Sequence, residues 1–406
     1  MALLHLAHDW AARRGRKLLA LTVDHGLNAD SAAWTEAAGA AARTLGVDWR
    51  ALRWTGEKPH TGLPAAARAA RHRLLADAAR EVGASVILFA HTANDVAEGE
   101  IMRAGSTPAL GRLREWVPSP VWPEGRGVFL LRPLLRVRRG ELRGFLAGHG
   151  APWLEDPSND DIRYARPLAR AALAADGSEP PLGPHEPSPD DMATLGEETT
   201  SGLDGVLTIS REVLEYVDHG SLRRFLSMAA LCASGRQTPP RGPALERLQS
   251  HLKTERAFVT TLVGARIEAD DHHVSFMREA GEADRSGLQP LHMRAGETAV
   301  WDGRFEIAAQ AAFTVTPLAG FAAQLSKLHR ARIAETASAA RPALPILLVG
   351  GAVLPPRPFG VGPATARALA NSRLSSACGL IARERDIARG MAEDARSSYV
   401  EALALA

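Results

Sequence analysis

The chain has 406 residues, of which 46% are hydrophobic, and its formal net charge is only +2. This length predicts two or three domains, and its two cysteines, far apart, argue against a structural zinc site, an iron–sulfur centre or a disulfide scaffold. No apolar run reaches the roughly 18 residues of a membrane span, and the first basic residues follow an apolar stretch instead of preceding it as in a signal peptide, so we expect no membrane contact and a cytoplasmic location.

Charge is unevenly distributed along the chain. Residues 1–175 carry 24 basic and 18 acidic side chains, whereas residues 176–198 carry seven acids and no base. A basic N-terminal half suits an RNA partner. An arginine-rich genome explains the same excess, because only four of the 48 basic residues are lysine. Composition therefore leaves RNA binding open.

Residues 1–175 alternate between helical and strand patterns. The repeated β-α order predicts a parallel sheet with right-handed crossovers, an α/β domain of Rossmann-like type. A further helix over 138–148 begins beside the basic cluster Arg136, Arg138 and Arg139. The predicted helices are 1–14, 31–45, 64–82 and 93–103, and the predicted strands are 18–23, 49–54 and 84–89.

The second half predicts a smaller α+β region over 199–406. Prolines, glycines and acids over 176–198 predict a linker or a disordered insertion. Two helices, two short strands and a hairpin turning at Asp302-Gly303 follow, and then a helix and a strand broken at Gly350-Gly351. In chain order these segments are 219–233, 243–254, 258–277, 301–305, 320–340 and 343–354. Residues 382–406 are left without a prediction.

The segment after strand 84–89 carries the strongest chemical signal. An almost entirely apolar strand of this kind delivers His91 to the carboxyl edge of a parallel sheet, where ligands bind. Asp95 and Glu98 lie three residues apart, so both carboxylates share one face of the following helix. Such a pair can hold Mg²⁺ or act as a base, although most pairs at this spacing are solvated surface acids.

Several segments occur together in a recognisable order. They are Val23-Asp24-His25-Gly26-Leu27, His91 through Glu98, Arg103-Ala104-Gly105-Ser106, Arg132-Pro133-Leu134-Leu135, and Pro152 through Asn159 with Arg166 after it. With the arginine-bearing helix at 65–73 they resemble the tRNA(Ile)-lysidine synthase family, a group of ATP-dependent PP-loop enzymes.

The resemblance implies a reaction and a set of site residues. The family uses ATP and Mg²⁺ to adenylate the wobble cytidine of tRNA(Ile) at its C2 carbonyl oxygen, and free L-lysine then displaces AMP to form lysidine. Asp95 and Glu98 are implied as catalytic residues, with Asp95 also as the metal ligand. The implied ATP and substrate residues are Asp24, His25, Gly26, His91, Arg68, Arg71 and Arg103, and the implied tRNA-binding residues are Arg136, Arg138, Arg139 and Arg166.

The start of the chain departs from the family pattern. The family's nucleotide loop, Ser-Gly-Gly-x-Asp-Ser, is expected directly before a helix that reads like residues 1–6. Either Met1 is an internal methionine taken as the start, which the match from residue 1 favours, or the protein is a truncated relative. We expect the first strand and its loop to be missing, an edge or a gap beside strand 18–23, and little ATP turnover by the 406 residues.

Two other functions stay open at this point. One is a different PP-loop enzyme, such as a tRNA thiolase or an amide-forming synthetase, which the missing Cys-x-x-Cys argues against. The other is a non-catalytic RNA-binding relative that lost its ATP loop, which the intact Asp95 and Glu98 argue against. A homodimer is also left open. Residues 199–406 are expected to read the tRNA, because they carry no comparable acid/base pair at a strand edge.

Overall fold

A computed structural model describes most of the chain, which forms two compact units. The first unit comprises Met1–Val117 with Val128–His185, and the second comprises Pro118–Gly127 with Glu186–Ala406. The described residues are 1–28, 30–84, 86–104, 116–117, 128–153, 165–176, 188–236, 239–285 and 288–380, with the backbone alone described at 103–104, 116–117, 129, 165–166, 174–176, 189 and 283–285.

The first unit is an α/β domain whose elements follow the predicted alternation. Its helices are α1 (Ala2–Arg14), α2 (Ser31–Thr44), α3 (Leu63–Glu81), α4 (Ala93–Ala104), α5 (Arg139–Gly148) and α6 (Ala165–Asp176). Its strands are β1 (Leu19–Asp24), β2 (Asp48–Arg53), β3 (Val86–Leu88), β4 (Trp116–Val117) and β5 (Phe129–Leu131).

Parallel pairing confirms the predicted sheet type. Strand β1 pairs with β2 in parallel, with Leu19 opposite Asp48, and β3 pairs with β5 in parallel, with Val86 opposite Phe129. The short strand β4 joins β5 in antiparallel orientation. Among the described residues, the β1-β2 pair is not hydrogen-bonded to the β3-β5-β4 sheet. Strand β5 was not predicted, because three residues are too short for a periodic pattern.

The helices of the first unit pack through small side chains. Buried alanines, among them Ala42, Ala76 and Ala97, let helices approach the strands closely. At Gly39 of α2 the approach is closest, since a Cβ there would lie 2.9 Å from the Trp49 ring on β2. In the described part of the chain, no helix combines the length and apolar character of a membrane span.

The second unit is a mixture of helices and antiparallel sheets, as predicted. Its helices are α7 (Pro189–Glu197), α8 (Arg211–Glu215), α9 (His219–Ser234), α10 (Gly242–Thr254), α11 (Ala280–Arg285), α12 (Lys327–Ile333) and α13 (Ala370–Ala377). Its strands are β6 (Thr200–Ser201), β7 (Leu207–Ser210), β8 (Phe258–Leu262), β9 (Ala265–Ala269), β10 (His273–Arg278), β11 (Leu291–Met293), β12 (Thr298–Trp301), β13 (Phe305–Ala309), β14 (Phe313–Pro317), β15 (Pro345–Val349), β16 (Ala352–Leu354) and β17 (Ala364–Ala368).

Two hydrophobic cores divide this unit into two lobes. In the first lobe, α7, α9, α10 and α13 pack with a sheet of order β6-β7-β10-β9-β8, around residues such as Phe225 and Ile267. The second lobe contains a sheet of order β11-β14-β15-β16 and another of order β12-β13-β17, around residues such as Trp301 and Phe305. Each lobe therefore buries its own apolar side chains.

A buried ionic cluster joins the two lobes. Asp302, in the β12-β13 turn, accepts hydrogen bonds from Arg278 Nε at 3.1 Å and from Arg304 Nε at 2.8 Å. The three side chains are 6%, 1% and 5% exposed, respectively. Beside them Gly235 and Gly303, both at positive φ, bring two backbones together; a Cβ on Gly303 would lie 2.3 Å from the Gly235 carbonyl oxygen.

Three predictions for the second half need correction. The linker does not reach residue 198: α7 occupies 189–197, the Ser188 hydroxyl accepts from the Asp191 amide at its start, and Leu195 is fully buried. Residues 258–277 form three strands instead of two, because a turn at Val263-Gly264 with positive φ adds a reversal.

The predicted helix over 320–340 is also wrong. Only α12 is an α-helix there, because the Ser326 hydroxyl caps a new start and Leu325 before it is extended. The helices at 219–233 and 243–254, the Asp302-Gly303 hairpin and the break at Gly350-Gly351 are confirmed.

Candidate active site

Helix α4 follows the carboxyl end of β3, and its first two turns carry the two central carboxylates, Asp95 and Glu98. Asp95 Oδ2 accepts hydrogen bonds from the Thr92 amide at 2.8 Å and from the Thr92 hydroxyl at 2.6 Å. Asp95 therefore caps the first turn of its own helix, where a negative charge is favoured by the helix dipole. Its second oxygen, Oδ1, lies 3.9 Å from Arg139 Nη2, and the side chain is 15% exposed.

Glu98 lies one turn further along α4 and is almost completely buried. Its carboxylate is 1% exposed and accepts from Arg170 Nε at 2.9 Å and Arg139 Nη2 at 3.3 Å. A buried carboxylate is tolerated only when it is paired in this way. The Asn94 amide oxygen also accepts from the Arg139 backbone N–H at 2.8 Å, which fixes the start of α5 against α4. Glu98 thus organises side chains from three helices.

A cluster of guanidinium groups surrounds Phe89, between β3 and His91. The Arg71 and Arg132 guanidinium carbons each lie 5.9 Å from the centre of the Phe89 ring. The His91 ring stacks on the same ring at 5.7 Å, and His72 meets it edge-on at 5.8 Å. Arg132 Nε donates to His91 Nδ1 at 3.1 Å. Two guanidinium groups and two imidazole rings therefore lie around the Phe89 ring.

Burial and mutual repulsion shape the charge of this cluster. Burial, followed by repulsion from Arg68 and Arg71, lowers the pKa of His72 to about 3, so His72 is neutral at pH 7. The same two causes lower the pKa of Arg132 to about 10, which still leaves its guanidinium charged. Positive charge concentrated in a site of low dielectric favours an anionic ligand with several oxygens, such as a phosphate chain.

The end of β1 supplies a second group of predicted residues. Gly26 has φ of +59°, and its N–H donates to Asp24 Oδ1 at 2.8 Å, which lowers the pKa of Asp24; the Ser31 hydroxyl contributes next. Burial, then the charge of Arg71, lowers the pKa of His25. His25 Nδ1 is buried, and no hydrogen-bond partner lies near it among the described residues. Arg71 therefore faces both the β1 end and the Phe89 cluster.

The predicted tRNA-binding residues separate in the structure. Arg136 is exposed, and the Arg138 amide donates to Glu141 Oε2 at 2.8 Å in a capping box at the start of α5. Arg139 turns toward α4: its guanidinium contacts Glu98, and the side chain is 28% exposed. Arg103 and Arg166 lie on α4 and α6 with side chains outside the described part, as is the whole Glu155–Asn159 turn.

Sequence reasoning missed Thr92, Arg132 and Arg170 as site residues. The spacing of Thr92 and Asp95 is a recognisable capping signature, so Thr92 left a local signal. Arg132 follows β5, a strand too short to predict from a periodic pattern, so its position left none. Arg170 left none, because its contact with Glu98 joins positions 72 residues apart.

The donor atoms of this site decide whether it can hold Mg²⁺. Among the described residues, no group of three or more His, Cys, Asp or Glu side chains is arranged to hold a metal ion. Of the two Asp95 carboxylate oxygens, Oδ2 accepts from Thr92 and Oδ1 lies 3.9 Å from Arg139 Nη2. Mg²⁺ is commonly held by one or two carboxylates together with water and substrate phosphates. The site therefore fits a metal that arrives with a nucleotide, not a metal bound by the protein alone.

Comparisons with known proteins find the same family in several organisms. A family model described as a PP-loop domain matches residues 1–176. The tRNA(Ile)-lysidine synthase of Caulobacter vibrioides is 45% identical over 94% of this chain and 91% of its own length. The enzymes of the same name from Hyphomonas neptunium and Brucella anthropi are 38% and 34% identical, over 69% and 75% of this chain and 79% and 70% of theirs. On this similarity, which spans both units, the chain belongs to the tRNA(Ile)-lysidine synthase family.

Proposed function

We propose that this chain ligates lysine to C2 of the wobble cytidine of tRNA(Ile) in an ATP-dependent reaction, forming lysidine. The observation that carries the proposal is the placement of two acids after one strand end in a chain from this family: Asp95 and Glu98 lie on the helix that follows β3. The end of the same strand carries Phe89 and His91, where Arg71 and Arg132 gather. Carboxylates suit amine and metal chemistry, and guanidinium groups suit phosphate. We also propose that the reaction uses Mg²⁺ and free L-lysine, that the protein acts in the cytoplasm, and that it forms a homodimer.

The reaction divides into two steps. The C2 carbonyl oxygen of cytidine attacks the α-phosphorus of ATP. The bond between this phosphorus and the oxygen that bridges to the β-phosphorus breaks, and diphosphate leaves with the electron pair. The ε-amine of lysine then attacks C2, AMP leaves with the former carbonyl oxygen, and the nitrogen loses a proton. Mg²⁺ bound with ATP would neutralise charge on the phosphate oxygens. Arg68, Arg71 and Arg132 are proposed to hold the phosphate chain, and His25 is proposed to meet the nucleotide through its buried ring nitrogen.

The two carboxylates receive different proposed roles. Asp95, partly exposed at the helix start, is proposed as the metal ligand or the base. Glu98 is proposed as the site of the lysine side chain. Its carboxylate already pairs with two guanidinium groups, so the lysine ammonium, which carries the same charge, would replace one of them. Arg139 and Arg170 then hold Glu98 in place until lysine arrives. Residues 199–406 are proposed to read the tRNA.

The test measures AMP release and the incorporation of labelled lysine into tRNA(Ile) transcript, by the protein expressed with any sequence that its gene encodes in frame before Met1. Asp95→Asn retains an oxygen that accepts from Thr92, so the helix start is preserved while the charge is lost. We expect AMP formation to fall by about two orders of magnitude or more, as for loss of an acid/base or metal group. The control is Asp77→Asn, on the exposed Asp77–Arg80 pair of α3, which should leave activity unchanged.

Three outcomes would contradict the proposal. Asp95→Asn activity within about threefold of the parent would remove Asp95 from the chemistry. Sulfur transfer to tRNA without lysine incorporation would point to a thiolase. Tight binding of tRNA with no release of AMP from ATP would point to a non-catalytic RNA-binding relative.

A further inference from the structure

The last turn of α1 and the loop after it form an exposed basic surface that the proposed chemistry does not use. This α1-end patch consists of Trp10, Arg13, Arg14, Arg16 and Lys17, all exposed, and the Trp10 side chain is 51% exposed. Residues 9–17 contain these four basic side chains and one acidic side chain, that of Asp9. A large aromatic side chain surrounded by cations and left in solvent is unusual, because tryptophan is normally well buried.

Helix electrostatics explains only part of the patch. Arg13 and Arg14 lie in the last turn of α1, where positive charge complements the helix dipole. Gly15 ends the helix in the left-handed conformation, with φ of +60°. Arg16 and Lys17 lie beyond that end, and Trp10 carries no charge, so neither the dipole nor the capping of α1 accounts for these three side chains.

The position of the patch separates it from the candidate active site. Lys17 precedes β1, whereas Asp24 ends the strand and His25 and Gly26 follow it. A strand of six residues spans about 20 Å at roughly 3.3 Å per residue. The patch therefore lies at the opposite edge of the strand from the residues proposed to bind ATP, too far to contact the same nucleotide.

We propose that the α1-end patch is a second RNA-binding surface, which contacts phosphates of the substrate tRNA outside its anticodon stem-loop. This inference rests on the proposed function for the identity of the RNA. Guanidinium and ammonium groups suit successive phosphates, and Trp10 offers a face on which an unpaired base stacks. A second copy of the chain is disfavoured as the occupant, because its identical patch would repel this one.

The experiment compares full-chain variants for tRNA(Ile) binding over a range of salt concentrations. Arg13→Gln with Arg14→Gln removes two cations and should lower the slope of log affinity against log salt by about 2, with roughly tenfold weaker binding near 150 mM salt. Trp10→Ala should weaken binding about fivefold or more and leave the slope unchanged, since stacking releases no counterions.

The matched control removes two cations that already have acidic partners. Arg43→Gln with Arg50→Gln changes the net charge equally, but Arg43 pairs with Glu36 and Arg50 with Glu81. Circular dichroism checks that all variants fold. Patch variants that match this control in affinity and slope would overturn the proposal, as would a loss of binding to anionic lipid vesicles with tRNA binding unchanged.

A second readout separates this proposal from the proposed function. With an isolated anticodon stem-loop as substrate, the patch variants should form lysidine as the parent does, because the proposed contacts lie outside the anticodon stem-loop. With whole tRNA(Ile) their kcat/KM should fall about tenfold, in line with the weaker binding. Equal losses on both substrates would overturn the patch proposal. A parent protein that modifies neither substrate would instead overturn the proposed function, and the binding comparison would still decide the patch.

Discussion

Removal of the Asp302 carboxylate should destabilise the second unit strongly. Asp302 is the shared acceptor of Arg278 and Arg304, and all three side chains are nearly inaccessible to water. In Asp302→Ala both guanidinium groups stay buried without a counter-charge. Breaking a buried ion pair from one side costs about 3–5 kcal/mol.

Two features of the structure adjust that magnitude in opposite directions. Arg278 still donates to the Gly264 carbonyl oxygen at 3.2 Å and Arg304 to the Ala343 carbonyl oxygen, which softens the loss. Residue 302 has φ of +50°, a conformation that costs alanine about 1 kcal/mol or more. We therefore expect about 4 kcal/mol for Asp302→Ala. Asp302→Asn tolerates this φ and keeps an acceptor, so about 2 kcal/mol is expected.

The assay is guanidinium denaturation followed by hydrogen-exchange mass spectrometry, because a protein of two units need not unfold in one transition. Peptides covering Gly235 and Ala343 report on the junction between the lobes. Glu246→Ala, which removes the exposed partner of Arg223, serves as the control and should change stability by less than about 1 kcal/mol. An Asp302→Ala protein that matches this control would refute the claim that the buried cluster stabilises the junction.

Three further changes test other parts of the molecule. Gly303→Ala would place a Cβ 2.3 Å from the Gly235 carbonyl oxygen, so we expect a loss of about 2 kcal/mol or more in the same denaturation assay. Glu98→Gln should raise the KM for lysine at least about tenfold, since a neutral amide binds an ammonium poorly, and initial rates at varied lysine measure it. His72→Gln should lose about 2 kcal/mol less stability than the parent between pH 7 and pH 5: the folded pKa of about 3 lies below the ordinary 6.5, so the unfolded chain takes up the proton first as pH falls through 6.5.

Each of these changes has a result that contradicts its reasoning. A Gly303→Ala protein as stable as the parent would mean that the two backbones separate freely at the junction. A fall in kcat with no change in the KM for lysine would make Glu98 a positioning residue for Arg139 and Arg170. Parallel losses of stability with acid in His72→Gln and the parent would show that His72 is not held neutral in the folded state.

Local patterns predicted more of the first unit than contacts between distant segments did. The shared face of Asp95 and Glu98 follows from helix geometry over three residues, so the sequence sufficed for it. The burial of Glu98 depends on Arg170, whose approach requires the packing of α6 on α4 and has no local signature. Arg139 was grouped with Arg136 because both belong to one basic cluster in the sequence. The direction of each side chain depends on its position around the helix, which the charge count does not show.

Composition averages explain the main error in the second unit. The acidic excess over 176–198 was interpreted as one linker, although its last eleven residues contain the capping Ser188 and the apolar side chains of Met192 and Leu195. Met192 and Leu195 of that stretch are buried in the first lobe. A window that mixes a polar segment with a short amphipathic helix hides the helix, because the apolar residues are too few to raise the average.

The contact between Arg132 and His91 limits what this histidine does in a reaction. A guanidinium group carries only donors, so the nitrogen that receives its hydrogen bond, His91 Nδ1, must present a lone pair. The imidazole is therefore neutral, with its proton on Nε2. While Arg132 stays in place, His91 can give a hydrogen bond to a phosphate or carbonyl oxygen but has no nitrogen left with which to take a proton. Proton uptake from the attacking amine must then fall to a carboxylate, to water or to the departing AMP.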